Sequence, residues 1–139
     1  MNGLLRRFTP WVPWAKRGEV SADLSRPGVY LLAQSGRAPR KGKPALSRQI
    51  IYIGETCGQS LHSRLYQFNR SAFCKKPAHS GGLTFAKLRL GPADDTLYVS
   101  VLSSVYAEPK ASAFIRYVER ALLWSYVQVH GALPKCNRK

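Results

Sequence analysis

The spacing of apolar and polar positions divides this chain into a few short blocks. Residues 29–33 (VYLLA) form a run of β-branched, aliphatic and aromatic side chains opened by Pro27-Gly28, and predict a strand. Residues 49–54 (QIIYIG) predict a second strand that Gly54 ends, with 55–59 as a turn. Residues 97–102 (LYVSVL) alternate and predict a third. Helical spacing takes over elsewhere. Leu61, Arg64, Leu65 and Phe68 share one face of a helix over 61–71, with Ser60 as its N-cap. Phe114, Val118, Ala121, Leu122, Ser125 and Val129 recur at helical intervals over 110–130, and Gly131 and Pro134 stop that element. Residues 83–90 (LTFAKLRL) fit a strand by alternation, but Ser80 ahead and Gly91 behind favour a short capped helix. The expected class is α+β: a small central three-stranded antiparallel or mixed sheet flanked by helices. Its first two strands form an antiparallel hairpin with Tyr30 and Tyr52 as near neighbours.

The remaining segments read as an arm, a loop and a tail. Residues 1–25 are basic and aromatic, with Phe8, Trp11 and Trp14 interrupted by Pro10 and Pro13. These aromatics must bury either on the chain's own core or on a second copy. Residues 26–139 make the domain proper. Its insertion, 35–48, carries Arg37, Arg40, Lys41, Lys43 and Arg48 and no acid, a suitable track for a nucleic-acid backbone or simply a solvated loop. Lys75 and Lys76 add two more candidate phosphate contacts. The tail, residues 133–139, is expected to fray.

Charge changes the picture most. Among 139 residues, 22 Lys and Arg face 7 Asp and Glu, a net charge of +15. Such an excess favours a polyanionic partner through counterion release, and nucleic acid is the commonest. A membrane surface fits less well, because no segment is both strongly basic and amphipathic. No apolar run approaches the roughly 18 residues that span a bilayer. The prolines of the arm leave no secretory signal, and three cysteines without paired spacing read as free thiols in a reducing cytoplasm.

Two charged residues lie on or beside apolar faces. Arg64 needs an acceptor such as a carboxylate, a carbonyl or a phosphate, unless its stem covers the core while its head reaches water. Glu119, at the border of the long helix's stripe, needs a cation or a metal, or its pKa rises.

These residues together resemble a GIY-YIG nuclease domain. Gly28-Val29-Tyr30 is similar to the first triplet and Tyr52-Ile53-Gly54 matches the second. Arg64 stands where the family helix carries its arginine, and His79, in a His-Ser-Gly-Gly string, stands where several members have a histidine. Val118-Glu119-Arg120 is similar to the segment bearing the metal-binding glutamate, and Asn137 matches the terminal asparagine. The resemblance covers about residues 26–137. It departs from the family in its 22-residue spacing of the tyrosines and in Phe68, where some members have a histidine or lysine. Most relatives also carry a separate DNA-targeting domain, for which this chain has no room.

The resemblance implies a metal-dependent endonuclease that hydrolyses phosphodiesters with one ion, Mg²⁺ with Mn²⁺ as substitute, held by Glu119. Arg64 would clamp the scissile phosphate. Tyr30 would take the proton of the attacking water, its pKa lowered by nearby positive charge. Tyr52 and His79 would hydrogen-bond the water or phosphate and tune Tyr30. Asn137 would steady Glu119 or a metal-bound water. Gly28 and Gly54 would shape the backbone, Gly54 by a sharp turn beneath the site. The implied substrate is double-stranded DNA, with RNA left open, and the implied assembly a restriction-type homodimer cutting a palindrome. The alternatives are a nicking, phage or interbacterial nuclease, a non-catalytic nucleic-acid-binding module of the same fold, and, more remotely, a ribosome-associated protein.

Overall fold

The computed structural model describes residues 2–35, 43–88, 90 and 96–137. In chain order these form α1 (Asn2–Leu5), β1 (Val12–Pro13), a 3₁₀ segment (Trp14–Glu19) kinked at Lys16, β2 (Gly28–Gln34), β3 (Ile50–Thr56), α2 (Leu61–Cys74), α3 (Ser80–Lys87), β4 (Leu97–Ser103) and α4 (Lys110–His130). The class is α+β. The sheet has four strands in the order β1-β4-β2-β3, each pair antiparallel, rather than the three expected.

The extra strand comes from the N-terminal arm. Thr9 donates its N–H to the Val101 carbonyl, and its hydroxyl oxygen accepts the Val101 N–H. Val12 then pairs with Val99 and Pro13 with Tyr98. Proline in this position is tolerated because β1 lies at the edge, where one side of the strand needs no ladder donor. The arm's aromatics bury on the chain's own core. Phe8 and Trp14 are fully covered, and the Trp14 indole N–H donates to Asn69 at 2.8 Å.

β2 is central and covered on both faces, which is why residues 29–33 read as a continuous apolar run instead of an alternation. Tyr30 and Leu32 face one cluster, with Leu61, Leu65 and Phe68 of α2 and Phe85 of α3. Val29 and Leu31 face the other, with Ile115, Val118, Leu122 and Tyr126 of α4. The α4 stripe is therefore Ala111-Ile115-Val118-Leu122-Tyr126. Phe114, Ala121 and Ser125 sit at its margin, and Val129 is exposed, one turn beyond where the helix meets the sheet.

Two boundaries differ from expectation. β3 runs past Gly54 to Thr56, because Glu55 and Thr56 still pair with Val29 and Gly28. α2 extends to Cys74, and Lys75 closes it in the left-handed conformation, its N–H donating to the Arg70 carbonyl. The ambiguous stretch after residue 80 is helical. His79 caps it by accepting the Gly82 N–H on its ring Nδ1. The tail does not fray up to Asn137. Cys136 donates its N–H to the Ile51 carbonyl, and the Asn137 amide both accepts from the Ile53 N–H, at 2.9 Å, and donates to the Ile53 carbonyl, at 2.8 Å. The arm and the tail thus occupy bonding positions on the two outer sides of the β4-β2-β3 core, which blunts edges that would otherwise recruit other strands. Among the described residues no helix is long and apolar enough to cross a membrane.

Candidate active site

Four of the residues singled out in the sequence converge between the sheet and the α2–α3 layer. Tyr30 pairs with Gly54 and Leu32 with Tyr52, so the two tyrosines are diagonal neighbours on one face of the hairpin. Their ring centroids are 5.8 Å apart. Both rings lie against His79, which the N-cap of α3 carries into the core with 2 % of its surface exposed. The Tyr30 hydroxyl and His79 Nε2 are 2.6 Å apart. Arg64 reaches the same spot from α2, and its charge acts on Tyr30, Tyr52 and His79 alike. Its guanidinium donates to the Gln67 side chain at 2.7 Å and to the Ala78 carbonyl at 3.5 Å. Gln67 in turn donates to Gln59.

The glycines make this closeness possible. A β-carbon on Gly54 would lie 2.3 Å from the Tyr52 ring and 2.6 Å from the Tyr30 ring. Gly54 sits inside a strand, so its service is room for two rings and not the sharp turn expected. Gly81, at the start of α3, backs the other side of Tyr52, where a β-carbon would lie 2.5 Å from the ring. Gly28 lies farther along β2, where the Leu102 carbonyl of β4 leaves no space for a side chain.

The electrostatics run opposite to one expectation. Burial pushes the Tyr30 phenol well above its ordinary value, and Tyr52 adds to the rise, while Arg64 pulls the other way without prevailing. Tyr52 is raised as well, by burial first, with Arg64 and a hydrogen bond from Tyr30 opposing it. His79 is held down to about 3 by burial and then by Arg64, so the ring is neutral at physiological pH. A positive field from Arg64 alone does not overcome the loss of water around these groups.

Glu119 and Asn137 lie on the other side of Tyr52. A cleft of about 360 Å³ is lined by Tyr52, Glu55, Ser80, Glu119, Arg120 and Asn137, together with Leu123, Leu133 and Cys136. The Glu119 charge is felt by Tyr52. Asn137 borders this cleft, but its amide is engaged with the Ile53 backbone, so its described bonds secure the tail to β3 rather than steady Glu119. Tyr52 therefore joins the two halves of the arrangement.

No family model, curated protein or solved structure matches this chain.

The basic residues behave less uniformly. Arg37, Arg40 and Lys41 lie outside the described residues. Lys43 donates from Nζ to the Phe8 carbonyl at 2.8 Å, so it ties the loop to the arm. Arg48, Lys75 and Lys76 are exposed. Sequence reading missed three contributors. Ser71, buried in α2, accepts the N–H groups of Ala78 and His79 and so fixes the loop that presents the histidine. Gly81 was visible only as part of a Gly-Gly pair. Glu55 lines the cleft, and its carboxylate accepts the Cys57 S–H at 2.9 Å. Burial and then this carboxylate push the Cys57 thiol up to about 11, so it is not a reactive thiolate. Ending the strand at Gly54 hid Glu55, because only a residue inside β3 is aimed at α4.

Among the described residues no three His, Cys, Asp or Glu side chains are grouped to hold a metal ion between them. The cleft instead offers hard oxygen donors, with the Glu119 and Glu55 carboxylates on its lining. That set fits a hard cation such as Mg²⁺, which keeps several waters and needs only one or two carboxylates.

Proposed function

We propose that this chain is a small, metal-dependent DNA endonuclease of the GIY-YIG type. The observation that carries the reading is the gathering of Tyr30, Tyr52, Arg64 and His79 around one buried point, with Tyr52 also bordering the Glu119 cleft. A structural tyrosine pair would not need a neighbouring arginine, a buried histidine and two glycines that keep the rings in contact. The charge of +15 supports a polyanionic substrate.

In this reading Arg64 binds the scissile phosphate with planar donors that match its oxygens. Gln67 and the Ala78 carbonyl hold the guanidinium in place before substrate arrives. A tyrosine hydroxyl orients the attacking water and receives its proton. Glu119 would hold Mg²⁺, or Mn²⁺ in its place, and the ion would supply charge stabilisation at the leaving 3′ oxygen. Bound substrate would exclude water from the cleft, which would strengthen each of these interactions. A homodimer would present two such clefts to the two strands of a palindrome.

The test is cleavage of supercoiled plasmid by purified protein, with Mg²⁺ against EDTA and wild type against Glu119→Ala. Discrete linear fragments that require metal and disappear in the variant are expected. Nicked circles alone would keep the nuclease and remove the restriction-type dimer. Absence of cutting with Mg²⁺ and Mn²⁺, with salt-sensitive DNA binding unchanged by Glu119→Ala, would leave a binding module of the same fold.

A further inference from the structure

We propose that the outer face of α2 binds an unpaired stretch of nucleic acid, with a base stacked on Tyr66 and the backbone held by Arg70 and Arg17. The inference goes beyond the nuclease reading, because it concerns binding and is tested without cleavage.

α2 turns Leu61, Leu65, Phe68 and Ala72 inward. His62, Tyr66 and Arg70 recur at every fourth position between them and share one exposed face. The helix has no acidic residue over its 14 positions. Tyr66, at 53 % exposure, shows its ring to solvent from the middle of the helix. Arg70, one turn on, sits over that ring with its guanidinium 5.9 Å from the centroid, at the outer limit of a cation–π pair.

His62 and Tyr66 form a ridge between two hollows. One, of about 280 Å³, is walled by Leu24, Leu65 and Arg17 of the 3₁₀ segment. Arg17 is held there by donating to the Trp14 carbonyl at 3.0 Å, with its guanidinium 4.7 Å from the Trp14 ring centroid. The other hollow, of about 430 Å³, is walled by Gln59, Ser63, Gln67, Arg70 and Ala78. The larger falls within the roughly 300–1,000 Å³ of small-ligand sites and the smaller just below it, room for single nucleotides and not for a duplex. Among the described residues neither hollow is lined by a carboxylate, in contrast to the cleft of Glu55 and Glu119. The larger hollow also adjoins the candidate active site, because Gln67 and Ala78, which accept from the Arg64 guanidinium, form part of its wall.

This surface suits an anion that also carries planar apolar faces, and nucleic acid has both parts. Phosphates meet the two arginines and release their counterions. A base meets Tyr66, and such stacking accepts any base because each has a π-face. In a duplex the bases are already stacked on one another, so an exposed ring between cations selects unpaired strands. Base and phosphate are common to DNA and RNA.

The test is fluorescence anisotropy of the full chain with labelled oligo-dT of about 12 nucleotides, within the usual range of single-strand sites. It is run in EDTA, so that cleavage plays no part. Tyr66→Ala should weaken oligo-dT binding about 5- to 150-fold, the worth of one stacked base, and Tyr66→Phe, which keeps the ring, should stay within about twofold of wild type. A duplex of the same length should bind Tyr66→Ala within about twofold of wild type, since no base is open to the ring. Arg70→Ala should lower the slope of log affinity against log salt by about 0.7, one phosphate of a single strand. Unchanged oligo-dT binding in Tyr66→Ala, an equal loss on duplex, or a Tyr66→Phe as weak as Tyr66→Ala would each overturn the stacking site. So would a wild type that does not bind oligo-dT. Backbone NMR of the wild type with oligo-dT gives a check that needs no variant: amides of residues 62–70 should shift, and shifts confined to the other helices would overturn the site. Oligo-U beside oligo-dT separates RNA from DNA as the source, and either order supports the site. These readings stand whether or not the wild type cuts plasmid.

Discussion

The two faces of the sheet are packed from different materials. The α4 face is largely aliphatic: Val29, Leu31, Ile50 and Ile53 meet Ile115, Val118 and Leu122. The α2–α3 face adds an aromatic cluster to its aliphatic side chains: Tyr30, Tyr52 and Phe68 pack against His79, and Trp14 and Phe85 pack against Phe68, with ring centroids 5.2–6.3 Å apart. Both faces exclude water, so both contribute hydrophobic stabilisation. They differ in what they bury besides carbon. The aliphatic face tolerates repacking as long as volume is kept. The aromatic face also fixes three hydrogen-bonding groups, the Tyr30 hydroxyl and the two His79 ring nitrogens, whose partners must stay in place. One face holds the fold together, and the other holds the fold and fixes polar groups in place.

The comparison can be broken at several points. The largest effect on stability is expected from Leu122→Ala, which opens a cavity in the aliphatic face and should cost about 2–5 kcal/mol. Chemical denaturation reads this loss, while the His79 and Tyr30 NMR signals should keep their wild-type positions at temperatures where the variant is folded. If those signals move, the faces are not independent. Gly54→Ala should cost less, about 1–3 kcal/mol, the usual range for overpacking. Its effect should nevertheless fall on the aromatic face, displacing Tyr52 or Tyr30 and lengthening the hydrogen bond to His79. Unperturbed tyrosine and histidine signals in that variant would show that the rings are not held by the missing side chain.

A third effect is read from pH. The folded-state pKa of His79 lies near 3 against an ordinary 6.5, so the unfolded chain binds a proton that the folded one does not. Stability from this group is present above about pH 6.5 and falls as pH drops toward 3, by at most about 1.4 kcal/mol per unit. Replacement by Gln should remove that slope from the pH dependence of unfolding. A slope unchanged in His79→Gln would mean that the ring protonates in place.

Much of this organisation is legible along the chain. The apolar run at 29–33, the Ser60 cap and the helical stripe of α4 follow from local spacing, which burial then enforces. The order of the tyrosines, the arginine and the glutamate is also a local fact. Other features are not. β1 was unreadable because two residues containing a proline carry no strand signal, and they pair only because β4 offers an open edge. Glu55 reads as a turn residue because a glycine precedes it, whereas its pairing with Val29 keeps it in β3. Asn137 is locatable along the chain, but its bonds to the Ile53 backbone, 84 residues away, are not.

The sequence by itself determined which residues can ionise, donate or accept, the periods that set strands and helices, and the charge of +15 that favours a polyanion. Only the tertiary structure decided which of those capacities survive. Burial raised the tyrosines despite Arg64, a backbone N–H chose the histidine tautomer, and Tyr52 rather than Tyr30 was left facing the cleft. The reason is that acidity and hydrogen-bond direction depend on water excluded and partners supplied, and both come from chain segments distant in sequence.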